Sequence, residues 1–113
     1  MTSPWLFLAG SQRKLMKILA LECELPGASI EQFKRHSKSE AARAWELYQA
    51  GVLRELYFRA DRRTAVLILE CKDTEEASQI LDTLPFVEAD LIKFEIIPLV
   101  PYDGFERLFN IQP

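Results

Sequence analysis

The chain has 113 residues, of which 49% are hydrophobic and 27% charged. These are the proportions of one globular domain, and they exclude both a disordered polypeptide and a membrane-embedded one. A net charge of -3 and an isoelectric point near 5.2 leave no concentrated basic surface for nucleic acid or an anionic membrane. The short basic runs Arg13 to Lys17 and Arg59 to Arg63 read as terminus and turn charges that solvate a surface. Cys23 and Cys71 stand in no CxxC pattern, and the single His36 makes no zinc-ligand spacing with them. No metal and no cofactor are therefore expected, and reduced thiols fit a cytoplasmic protein.

Residues 1 to 15 (MTSPWLFLAGSQRKL) read as an N-terminal extension. Its apolar run is too short to span a bilayer and it lacks the pattern of a signal peptide. A single domain follows over residues 16 to 113. MKILALECEL (16 to 25) is an aliphatic strand with a wetter end at Glu22 and Glu24, closed by Pro26 and Gly27. Ser29 and Gln32 form a capping box, and Phe33, Ala41, Ala44, Leu47 and Tyr48 continue at helical spacing until Gly51 provides a left-handed stop. VLRELYFRA (52 to 60), the turn Asp61-Arg62-Arg63 and TAVLILEC (64 to 71) make a hairpin. Asp73 with Glu76 caps a second helix carrying Ala77, Ile80, Leu81 and Leu84, which Pro85 ends. LIKFEIIPLV (91 to 100) is the last strand, and Pro98 favours the sheet edge because it has no N–H to donate. The tail from about residue 101 offers one helical turn that would dock Phe105, Leu108 and Phe109 on the body.

The order β-α-β-β-α-β predicts a ferredoxin-like α+β fold, an antiparallel sheet with both helices on one face. LALEC (19 to 23) and LILEC (67 to 71) echo one another in its two halves. If the echo follows the pseudo-twofold, Leu19, Leu21, Cys23, Leu67, Leu69 and Cys71 lie beneath the helices, with the cysteines too far apart for a disulfide. Ile18, Ala20, Val66 and Ile68 then occupy the open face, flanked by Glu22, Glu55, Tyr57, Arg59, Glu70, Lys93, Glu95 and Ile97. A bare aliphatic strip of that kind is what a second copy would cover, so a homodimer closed into an α/β barrel is expected.

LYQAGVLRELYF (47 to 58) and DTLPFVEADLIKFEIIPLVPY (82 to 102) resemble the muconolactone isomerase family of dimeric α/β barrels. Shared are a helix-ending Gly, an Arg and aromatics in the next strand, and an LP-aromatic step before a final strand with a late Pro. The resemblance implies a cofactor-free shift of a proton in a small lactone or carboxylate. A carboxylate or His would take the proton, and an Arg or Tyr would hold the substrate anion. Matched to this sequence, the resemblance points to Glu40 as a catalytic candidate and to Arg54 and Tyr57 as binding candidates; the residues themselves add His36 and Glu22 to the catalytic candidates and Tyr102 to the binding ones. Histidine is the residue type suited to carrying a proton at neutral pH, and His36 has Glu40 one turn on. Equally, the segment around it suits a solvated helix face, and strand-end glutamates commonly pair with basic residues across an interface. A non-catalytic ligand-binding or assembly protein on the same scaffold is the alternative.

Overall fold

In the computed structural model, which describes residues 14–109, the chain runs β1 (Met16–Glu24), α1 (Ile30–Gln49), β2 (Leu53–Phe58), β3 (Ala65–Cys71), α2 (Thr74–Leu81), α3 (Pro85–Glu88) and β4 (Ile92–Leu99). A 3-10 turn at Gly104–Leu108 follows. Residues 1 to 13 of the expected N-terminal extension lie outside the described residues. All strand pairs are antiparallel, in the order β2-β3-β1-β4. This is a ferredoxin-like α+β fold, with Pro98 on an edge strand.

Local chemistry explains the boundaries. Ser29 accepts the Gln32 N–H at 3.2 Å while the Gln32 side chain accepts the Ser29 N–H at 3.1 Å, so α1 opens on a reciprocal capping box. It closes at Gly51, whose φ of 80° lets the Val52 and Gly51 N–H groups return to the Leu47 and Tyr48 carbonyls. Asp73 caps α2 through the Glu76 N–H at 2.8 Å. Pro85 does more than stop that helix: it opens the extra turn α3, where its missing N–H and fixed φ suit the first position. α1 packs against β2 and α3, and α2 against β3 and β4.

The strand register revises the expected faces. Ile18 pairs with Leu69 and Ala20 with Leu67, so even-numbered β1 residues share a face with odd-numbered β3 residues. LALEC and LILEC, in contrast, match residues of equal parity and are one residue out of step with the pseudo-twofold. Ile18, Ala20, Leu67, Leu69 and Cys71 are buried beneath the helices. Leu67, Leu69 and Cys71 thus lie as expected, whereas Leu19, Leu21 and Cys23 go to the open face and Ile18 and Ala20 to the core. A one-residue slip inverts every side chain of a strand. Glu22 is inverted with the rest and points to the helix side, opposite Phe94.

The tail departs from expectation as well. Its turn forms, but Phe105, Leu108 and Phe109 are 67%, 76% and 80% exposed and do not dock on the body.

Candidate functional site

Between α1 and the sheet lies a cavity of about 430 Å³. Its α1 wall is the stripe Ser37, Glu40, Ala41 and Ala44, spaced to face one direction, and the small side chains leave room above the sheet. Leu53, Leu56 and Phe58 come from β2, Leu67 from β3, and Ile92 and Phe94 from β4. Phe86 of α3 closes one end, its ring set edge-on to Phe33 with centroids 5.1 Å apart.

Two carboxylates enter this apolar space. Glu22 on β1 accepts the Ala65 N–H at 2.8 Å, and Glu40 on α1 accepts the Phe86 N–H at 2.9 Å. The Glu40 bond has a structural function too: α3 has no side-chain cap of its own, and Glu40 satisfies an open N–H of its first turn. Burial pushes the carboxyl groups of both residues above the usual carboxylate range, against the opposing effect of those backbone N–H groups. Glu22 is close enough to raise Glu40 further. Among the described residues, neither glutamate has a Lys, Arg or His within ion-pair distance.

The other candidates lie elsewhere. His36 is half-buried but does not line the cavity, and its side chain makes no hydrogen bond to either glutamate. Arg54 sits at the bulge between Leu53 and Glu55, where its side chain reaches Glu70 at 3.6 Å. Glu70 also holds Lys17 at 3.0 Å on the open face, so Glu22 and Glu70 occupy opposite sides of the sheet. Tyr57 contributes to the cavity rim, but its hydroxyl donates to Glu55 at 2.6 Å. Tyr102 is in the exposed tail, where it accepts from Arg107 and meets the Phe105 ring. The structure therefore brings Glu22 and Glu40 into one cavity, with Tyr57 at its edge, while His36, Arg54 and Tyr102 are not in its lining. Ser37 and Ala41 were not among the candidates; their signal is the small-residue stripe in register with Glu40.

A family model for muconolactone delta-isomerase matches residues 19–104, a span that runs from within β1 through the end of β4. The chain belongs to that family. A search of curated proteins returns no match. For a member of the muconolactone delta-isomerase family, the arrangement offers an apolar-walled cavity, two carboxyl groups of raised proton affinity, and walls formed by both layers of the fold. Among the described residues no cluster of His, Cys, Asp and Glu could hold a metal ion, and no helix is long and apolar enough to cross a membrane.

Proposed function

We propose that the protein is a proton-transfer isomerase acting on a small lactone or carboxylate, with Glu40 and Glu22 as its acid and base. The observation that supports this reading is the placement of both carboxyl groups in one apolar cavity with no neutralising cation among the described residues. In such a space the pair gives up its first proton more readily than its second, because two adjacent carboxylates repel. One ionised group and one protonated group can then coexist.

The carboxylate takes a proton from the carbon next to the substrate carbonyl, and the C–H electron pair moves into a dienolate. The protonated glutamate delivers its proton to the remote carbon, the double bond shifts, and the two glutamates have exchanged protonation states. Family membership supports the reaction class. Arg54 and Tyr102 have no part in this step, since both lie away from the cavity.

The reading also includes a homodimer. After inversion of β1, the open face carries Leu19, Leu21, Val66, Ile68 and Ile97 around its centre, and a second copy would cover that strip and close the barrel.

The test is hydrogen exchange at carbon, followed by NMR in deuterated buffer with an unsaturated γ-lactone. Glu40→Gln and Glu22→Gln should each slow exchange by about 100-fold, the usual scale of general acid-base assistance, while His36→Ala stays near the parent rate. Parent-like exchange in both glutamine variants would remove the pair from the mechanism.

A further inference from the structure

The cavity beneath α1 has a neighbour. A groove of about 190 Å³ lies at the β4 edge of the sheet, lined by Ser78 and Leu81 of α2, Val87 of α3 and Ile96 of β4, with the exposed Asp82 and Lys93 at its rim. The two linings have one residue in common, Phe94. Leu84, Phe86 and Ile92, which wall the same end of the cavity, do not reach the groove.

Strand geometry puts Phe94 there. Ile96 pairs with Ala20, which is fully buried beneath the helices, so Ile96 and Phe94, two residues apart on β4, face the helix side. Phe94 itself pairs with Glu22. Residues directly opposite one another in an antiparallel pair carry their Cβ atoms about 5 Å apart, so the Phe94 side chain stands beside that of Glu22. It packs against the core at its base and is half-buried, with open space on two sides.

We propose that Phe94 is a specificity-determining partition. It ends the cavity beside Glu22, limits the apolar substituent that a ligand carries at that end, and keeps the groove beyond it closed to the ligand. Shortening this side chain joins the two spaces and admits a longer alkyl substituent, whose methylenes gain the walls of Leu81, Val87 and Ile96. The proposal rests on the proton-transfer reading for the ligand's place beside Glu22, but the length limit is read by binding, without turnover.

The experiment uses the full chain and two probe series, unsaturated γ-lactones and the corresponding open-chain unsaturated carboxylates, each carrying a methyl, ethyl, propyl or butyl group. Affinities are measured by calorimetry. In the parent, the step from ethyl to butyl should change affinity by less than about 2-fold. In Phe94→Ala each added methylene should tighten binding by about 4-fold, the value of burying one such group, so that butyl exceeds ethyl by about 10-fold or more. Phe94→Leu, which keeps the core contact, should show the same trend at about 3-fold or more, and it is read in place of the alanine variant if circular dichroism shows that one unfolded. Adding Ser78→Phe, which fills the groove from α2, should return either variant to the parent profile.

A parent protein that already tightens with every methylene would overturn the proposal, as would variants that keep the parent profile or binding of neither series at millimolar concentration by any of these chains. A gain that survives Ser78→Phe would overturn it too, because a larger cavity alone would then account for the change. Exchange at carbon is followed on the same probes. The expected length profile without exchange would sink the proton-transfer reading and leave the partition standing; exchange with an unchanged profile would do the reverse.

Discussion

Glu22 and Glu40 are costly residues by the ordinary rules of stability. Each removes a carboxylate from part of its water, and one backbone N–H apiece offsets only some of that loss. With the folded-state proton affinity raised, the folded chain binds more protons than the unfolded one at intermediate pH. The stability associated with these groups is therefore fully present below the unfolded carboxyl value of 4.5 and is lost as pH rises through the raised folded value. Glu22→Gln and Glu40→Gln should accordingly raise the melting temperature at pH 8, and the gain should vanish by pH 4. Thermal unfolding followed by circular dichroism at the two pH values checks this; a loss of stability at pH 8 would mean that the carboxylates hold the fold together. Lys17 and Arg54 beside Glu70 form a contrasting case, since these exposed pairs contribute little.

At the scale of elements, the cavity depends on how α1 begins and ends. The capping box sets the helix phase that puts Ser37, Glu40, Ala41 and Ala44 over the sheet, and the left-handed Gly51 turns the chain so that Leu53 can enter the core. A Cβ at Gly51 would meet only the Arg54 side chain, at an ordinary 3.6 Å. Gly51→Ala should thus lose about 1 kcal/mol of stability from backbone conformation alone. Denaturant unfolding checks the figure, and an unchanged midpoint would show that the turn relaxes without strain. α3 is the second element on which the site depends: Glu40 caps its first turn, so Glu40 and the wall residue Phe86 are held by the same hydrogen bond.

For the whole molecule, the helix-covered face is closed by its own elements, whereas the open face is a half-buried aliphatic strip with charges at its margins. On the proposed dimer, Ile68→Glu should yield a monomer by light scattering at micromolar concentration with the circular dichroism of the fold retained, because one carboxylate at the centre of an apolar contact costs more than the contact returns. A parent protein that is itself monomeric under those conditions would remove the barrel. The exposed Phe105, Leu108 and Phe109 of the tail add to the apolar surface that the isolated chain leaves uncovered.

Sequence alone determined the element order, the caps at Ser29, Gly51 and Asp73, the ferredoxin-like class and the family, because each follows from local periodicity, backbone preference or a contiguous motif. It also brought Glu22 and Glu40 forward as candidates. It could not place them together. The side of the sheet that a strand residue faces depends on register with its neighbours, and the repeated pentapeptides pointed one residue out of step. Tertiary structure decided that β1 turns Glu22 toward α1, that Arg54 is spent on Glu70 at a bulge, and that the tail stays away from the body. Those outcomes are set by pairing between residues distant in the chain, which no local pattern encodes.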